Sequence, residues 1–191
     1  MIRPATKRDA LHMAALADIA GHGMPAWVWS QACEKDQSLI EVGRARAMRE
    51  EGGFSYRNAE MLEHDGEIAG MLLGYRQPDA MDAGDTSTIH EVFRALAELE
   101  AAAPGSWYVN ILGVFPEYRG RGLGARLLRR AEDVGAATGT GRMSLIVDSG
   151  NDAARRLYER TGYREETRRP MVPFPGSTQS GDWVLMTKPR A

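Results

Sequence analysis

Apolar positions along the chain switch between a period of two and a period near 3.6, and the switches mark out its elements. Residues 2–5 read as a short edge strand. Thr6 with Asp9 three residues later has the spacing of a capping box and opens a helix through about Ala20, which Gly21 and Gly23 end. From Met24 to Asn58 a helical insertion is expected over one end of the sheet, with Trp27 and Trp29 near a second helical pattern at 37–50 that Gly52 and Gly53 break. Residues 59–64 and 67–75 are strand-like runs joined at Asp65-Gly66, a two-residue hairpin signal.

Ile89, Val92, Phe93, Leu96 and Leu99 fall at helical spacing within residues 88–103, and Pro104-Gly105 stops that helix. A strand over 107–115, a helix over 123–137, a strand over 143–148 and a helix over 151–161 follow. The tail holds strands near 163–171 and 183–187, which Pro170, Pro173 and Pro175 confine to an edge or a long hairpin. No repeat, low-complexity tract or linker divides residues 1–191, so one domain is expected.

Composition narrows the function more than the fold. Lys plus Arg number 24 against 26 Asp plus Glu, so no global positive field draws nucleic acid or an anionic membrane. The single cysteine, Cys33, cannot form an internal disulfide and lacks the Cys/His company of a metal or thiol-based site; no metal is expected. No run approaches the roughly 20 apolar residues of a membrane span, and no secretory h-region is visible, so a soluble, cytoplasmic protein is expected.

Candidate chemistry concentrates in Val114-Phe115-Pro116-Glu117-Tyr118-Arg119-Gly120-Arg121-Gly122-Leu123-Gly124-Ala125, between a strand and a helix. Glycines there let backbone approach an anion, and the first-turn N–H groups and the helix dipole favour negative charge, with diphosphate the natural guest. The bland alternative is an ordinary turn with solvated arginines. Gly120-x-Gly122-x-x-Ala125 also satisfies a Rossmann glycine pattern formally, with Asp148 at the end of the next strand. Against that, Pro116 to Arg119 separate strand from glycine, and too few βα units follow.

After Asp148 the chain reads Ser149-Gly150-Asn151-Asp152-Ala153-Ala154-Arg155-Arg156-Leu157-Tyr158-Glu159-Arg160-Thr161-Gly162-Tyr163. Asn151, Ala154 and Tyr158 stand at i, i+3 and i+7 and share one helical face, a small residue between two polar ones. Taken singly, they are equally an N-cap, a spacer and an amphipathic core residue.

Together the two motifs resemble the GNAT N-acetyltransferase superfamily. Arg119-x-x-Gly122-x-Gly124 is similar to its acyl-CoA pyrophosphate loop, and Asn151-x-x-Ala154-x-x-Leu157-Tyr158-x-x-x-Gly162-Tyr163 to its second cofactor motif. The resemblance implies the acyl-CoA N-acyltransferase fold of the α/β (α+β) class. That fold is a single mixed, mostly antiparallel six- to seven-stranded sheet with helices on both faces, and the glycine-loop strand and its successor are parallel. It implies acetyl-CoA as co-substrate, held by Leu112, Val114, Arg119, Gly120, Arg121, Gly122, Leu123, Gly124, Ala125, Asn151, Ala154 and Tyr158. Leu112 and Val114 would offer backbone groups to the pantetheine arm on a strand that bulges and splays from the next. Tyr158 matches the family's usual general acid, in keeping with a phenol of pKa near ~10 that stays protonated at neutral pH.

The acceptor implied is a primary amine of a small molecule or peptide, and a homodimer through the tail strands accords with the same resemblance. Where some members carry a glutamate this chain has Ile146 and Asn110, and the lack of a glutamate at Ile146 weakens a specific comparison with ribosomal-protein N-terminal acetylating members. Glu34, Glu41, Glu60, Glu63 and His64 lie in or beside the expected acceptor region, but none is assigned as base, and water-relayed deprotonation is an equal option. Trp27, Trp29, Phe54 and Tyr56 either line an acceptor pocket, with Glu34, Asp36 and Glu41 favouring a cationic amine, or pack the insertion onto the body. A non-catalytic acyl-CoA-binding sensor is the alternative function, and a nicotinamide oxidoreductase the third.

Overall fold

The structure is a computed structural model that describes residues 1–80, 87, 89–177 and 179–189. Its elements in chain order are β1 (Ile2–Pro4), α1 (Ala10–Ala20), α2 (Met24–Ser30), α3 (Leu39–Ala47), β2 (Ala59–His64), β3 (Glu67–Arg76), α4 (Glu91–Ala101), β4 (Trp107–Val114), α5 (Leu123–Ala137), β5 (Arg142–Asp148), α6 (Asp152–Arg160), β6 (Arg164–Pro170) and β7 (Asp182–Pro189). The strands form a seven-stranded mixed sheet in the order β1-β2-β3-β4-β5-β7-β6. Among the described pairings β4 with β5 is parallel, the pair joined through α5, and β1–β2, β2–β3, β5–β7 and β6–β7 are antiparallel. The expected start at Thr88 of the helix over residues 88–103 lies outside the described residues.

The chain forms two compact units. The first comprises Met1–Gly74, Ile111–Ala131 and Pro175–Ser177. Its hairpin turns at Asp65 and Gly66 with φ of 53° and 85°, the left-handed pair that a two-residue type I′ turn requires. A 3-10 turn at Lys7–Asp9 precedes α1, and the Asp9 carboxylate accepts from the Thr6 N–H at 2.7 Å and from Thr6 Oγ1 at 2.8 Å. The helical pattern expected over 37–50 resolves into α3 alone, and the two tryptophans sit on the separate helix α2. Gly43, in the middle of α3, sets how that helix packs: a Cβ there would lie 2.6 Å from the Trp29 ring, so the glycine lets α3 close onto α2. Trp29 is 4% exposed, packs with Ala14 and Val42, and stacks on Phe54 with centroids 6.3 Å apart. For Trp29 and Phe54 the packing alternative therefore holds. Tyr56 lies beneath Lys7 and Arg57 and donates to Glu50 at 2.9 Å.

The second unit comprises Tyr75–Asn110, Glu132–Phe174 and Thr178–Ala191. β5 is its spine, pairing with β7 from Arg142 with Pro189 through Asp148 with Trp183. β7 is an inner strand, with Val184, Leu185 and Met186 buried, and β6 forms the edge that Pro170 ends. Leu99 and Ala103 at the end of α4 pack on Leu185, with Ile146 and Trp183 against the same cluster. Gly135 of α5 lets that helix settle on the sheet, since a Cβ there would lie 2.7 Å from Met143 Sδ and 3.2 Å from Trp107.

Gly70 of β3 tests the packing of the first unit. A Cβ at this position would sit 2.7 Å from the Gly113 carbonyl oxygen, a backbone atom with nowhere to retreat, and 3.3 Å from Leu127 of α5. Gly70→Val is expected to cost about 1–3 kcal/mol by overpacking. Urea unfolding read by circular dichroism checks this, and an unchanged midpoint contradicts the tight approach.

Candidate functional site

In the first unit the glycine loop leaves β4 through a 3-10 turn at Pro116–Tyr118, tied back by the Phe115 N–H to the Ala69 carbonyl at 3.0 Å. Gly120 and Gly122 both have φ of 75°, and an added Cβ at either would meet nothing within 4 Å. Their role is thus conformational, and the space over the loop is open. The first hydrogen bond of α5 runs from the Arg126 N–H to the Gly122 carbonyl at 3.1 Å. The N–H groups of Leu123, Gly124 and Ala125 precede it and have no intrahelical acceptor, which is the geometry that receives an anion. A diphosphate fits these residues by charge and by shape.

The two arginines of the loop are partly engaged. Arg119 Nε donates to the Val114 carbonyl at 3.2 Å, bracing the loop against the strand end and leaving that carbonyl one lone pair. Arg121 lies over the Tyr118 ring at 5.6 Å, donates to the Glu117 carbonyl at 3.3 Å and faces His64 Nε2 at 3.4 Å. Both side chains are exposed, whereas Leu123 is buried and anchors α5 in the core. Leu112 and Val114 are half-buried on β4, and Gly124 and Ala125 are half-buried in the first turn of α5.

In the second unit β5 ends at Asp148, whose carboxylate accepts from the Gly150 N–H at 2.8 Å and from Gln179 Nε2 at 2.7 Å. Asn151 caps α6, its Oδ1 accepting from the Ala154 N–H at 3.1 Å. The cap and the shared face coexist: Asn151 and Ala154 are half-buried and Tyr158 is 8% exposed, one and two turns further on. Thr161 Oγ1 and the Tyr163 N–H both close on the Tyr158 carbonyl, at 2.9 and 3.0 Å, and Gly162 takes φ of 98°, so α6 ends in a left-handed stop. Burial pushes the Tyr158 phenol up to about 12, and none of the described side chains hydrogen-bonds its hydroxyl. The group is a proton donor held neutral and uncommitted.

Between these motifs in sequence, parallel pairing of β4 with β5 covers only Trp107–Val109 against Met143–Leu145. Asn110 and Ile146, the next residues, do not continue it, and neither carries a titratable group. Beside this point lies a polar network that the sequence did not reveal. Asn110 Nδ2 donates to the Tyr75 hydroxyl at 3.1 Å, and the Tyr75 and Tyr108 rings meet edge to face at 5.8 Å. Tyr108, fully enclosed, hydrogen-bonds the carboxylate of Glu100 on α4, and Gln77 Nε2 approaches the same carboxylate at 3.5 Å. Burial holds the Glu100 carboxyl above the usual range and both phenols above theirs, Tyr75 to about 12. The one signal was positional: Glu100 stands four residues after Leu96, where the apolar stripe of α4 would otherwise continue. Among the described residues no group of His, Cys, Asp and Glu is placed to hold a metal ion.

Residues 16–163 match the model of the Acetyltransferase (GNAT) family, and the chain belongs to that family. GNAT acetyltransferases use acetyl-CoA. Mycothiol acetyltransferase of Beutenbergia cavernae is 42% identical over 82 residues, 43% of this chain and 26% of that protein. The N-alpha-acetyltransferase RimI of Mycobacterium tuberculosis is 36% identical over 72 residues, 38% of this chain and 44% of its own length. The chain thus spans less than half the length of either relative. A crystal structure of an acetyltransferase superposes with a TM-score of 0.68 at 25% identity, covering 100% of both chains. An N-acetyltransferase from Staphylococcus aureus Mu50 superposes at 0.65 and 18% identity over 98% of this chain and 99% of its own, a likeness of fold. Family membership leaves the nicotinamide reading of the glycine pattern without support. None of the described helices is long and apolar enough to cross a membrane.

The neutrality of Tyr158 is open to titration. Tyrosinate absorbance of the wild type minus that of Tyr158→Phe should show no step through pH 10.0, the ordinary phenol value, and should rise only near about 12. A step at or below pH 10.0 contradicts the desolvated phenol.

Proposed function

We propose that the chain is a cytoplasmic N-acetyltransferase acting as a single domain over residues 1–191, which moves the acetyl group of acetyl-CoA to the primary amine of a small-molecule or peptide acceptor. The carrying observation is that the family match spans both motifs, each in a local geometry suited to its part. In this reading the N–H groups of Leu123, Gly124 and Ala125, with Gly120 and Gly122 opening the backbone, hold the pyrophosphate, and the arginines Arg119 and Arg121 lend positive charge. The backbone of Leu112 and Val114 pairs with the pantetheine arm. Asn151 and Ala154 keep the start of α6 polar and slender for the cofactor, and homodimerisation through the tail strands remains part of the proposal.

The bound co-substrate supplies an acetyl thioester. The amine nitrogen attacks its carbonyl carbon, the C–N bond forms, and the C–S bond breaks as the tetrahedral oxyanion collapses. A backbone N–H of β4 beyond its last paired residue steadies that oxyanion. Tyr158 gives its proton to the departing sulfur, the nitrogen sheds its extra proton to solvent as the amide forms, and Tyr158 regains one from solvent. A phenol pushed up to about 12 stays protonated at neutral pH, so its proton is in place when the sulfur departs.

Acetyl-CoA at ~100 times its Kd should stabilise the protein by about 2.7 kcal/mol, a readable rise in Tm. Gly122→Val should abolish that rise, since a β-branched residue resists the left-handed backbone there. Tyr158→Phe should keep it and lower kcat for amine-dependent thiol release by about 10²-fold. Binding without thiol release from any primary amine would instead favour the acyl-CoA sensor, and no binding at all would overturn the proposal.

A further inference from the structure

The reaction begins from an ammonium ion at neutral pH, and neither strand at the parting of β4 and β5 offers a group to take its proton. Helix α4 does. It stands in the segment between β3 and β4, with Leu99 in its last turn and Ala103 just beyond it packed in the cluster that includes Ile146, and this sets that last turn, Glu100 included, beside the residue where the pairing of β5 with β4 stops. Glu100 is half-buried there and receives Tyr108 and Gln77. Tyr75 and Asn110 continue the polar line outward, Tyr75 half-buried and Asn110 exposed. The line thus runs from solvent at the strand parting to an enclosed carboxylate.

We propose that Glu100 is the counter-ion and proton acceptor of the acceptor ammonium, with Tyr75, Tyr108 and Asn110 forming the wall of the amine site. The proposal rests on the acetyltransferase reading and assigns that reaction its base. The ammonium N–H bond breaks, its proton passes to a Glu100 carboxylate oxygen, and the freed lone pair makes the new C–N bond. The Glu100 proton then leaves to solvent.

Charge around the carboxylate is what makes it available. Among the described residues Tyr75 of β3 and Tyr108 of β4 are the titratable groups facing it, and both are neutral across the working range. The cation that β6 brings to α4, Arg169, is spent on Glu98 at 2.8 Å. β5 and β7 present Ile146, Leu185 and Trp183 to this end of the helix. A carboxylate enclosed by neutral groups seeks a cation, and a primary ammonium fits both its charge and its proton. Desolvation, which raises its pKa, makes it a better base than a solvated glutamate.

The test uses two amines of nearly the same shape and different basicity, ethylamine and 2,2,2-trifluoroethylamine, with acetyl-CoA binding followed by thermal shift. At neutral pH the first is protonated and the second largely free base. Glu100→Gln should lower kcat/KM for ethylamine by about 10²-fold and for trifluoroethylamine by less than about threefold, with the acetyl-CoA shift intact. Tyr108→Phe removes a hydrogen bond that favours the charged carboxylate, so the acid limb of the wild-type pH profile should move to higher pH. Glu100→Gln should also raise Tm at neutral pH and not below the ordinary carboxyl value of 4.5, because it removes a buried charge present only when ionised. Equal losses for both amines, or no loss for ethylamine, overturn the role of Glu100 while thiol release continues. If the wild type binds no acetyl-CoA and releases no thiol with either amine, the acetyltransferase reading falls and takes the proposal with it.

Discussion

Backbone N–H and C=O groups that leave a sheet must find partners elsewhere, because stranding them away from water is expensive. β4 and β5 pair in parallel over Trp107–Val109 and Met143–Leu145, and β5 is held on its other side by β7 along its whole length. β7 supplies the rigidity that lets β5 give up its second neighbour. Within the second unit Tyr75 of β3 and Tyr108 and Asn110 of β4 gather where that pairing stops. Strand groups left without a neighbouring strand are the kind that an extended chain rich in amides can pair with.

The two units divide the electrostatic labour. The loop before α5 presents backbone N–H groups and exposed arginines, a positive and hydrated surface suited to holding phosphate groups without changing their protonation. The second unit holds Tyr158, Tyr75, Tyr108 and the Glu100 carboxyl in surroundings where burial disfavours charge. Burial raises Tyr158, Tyr75 and Tyr108 alike, so all three phenols hold their protons at neutral pH. Anchoring by fixed dipoles and proton transfer by desolvated groups are different tasks, and the residues doing them are chemically different.

Legibility in the sequence followed the range of the interactions. The Asp65-Gly66 turn, the boundaries of α5 and the left-handed glycines of its loop are fixed by residues within a few positions of each other, and all are written locally. Asn151, Ala154 and Tyr158 were readable as one face because a helix imposes its own geometry. The packing of α3 onto α2 was not readable, because it depends on Trp29 meeting Gly43, a contact that no periodicity announces. Glu100 was hidden for the same reason. A glutamate on an amphipathic helix is ordinarily a solvated flank, and only the fold brings Tyr108 and Gln77 against it.

Two carboxylates show how linkage separates scaffold from chemistry. Arg3, and then the Thr6 N–H and hydroxyl, hold Asp9 near 2, below its ordinary 3.8, so its ionised form stabilises the fold above that ordinary value and the contribution fades as pH falls toward 2. Glu100 runs the other way. Its folded pKa lies above the unfolded 4.5, so its charge weakens the fold as pH rises through the folded value, and protonation relieves the cost. A carboxylate that stabilises at working pH explains itself by the structure it supports. One that destabilises needs another reason to be there, and a helix that carries such a group to the place where two strands part puts that reason in the reaction rather than in the fold.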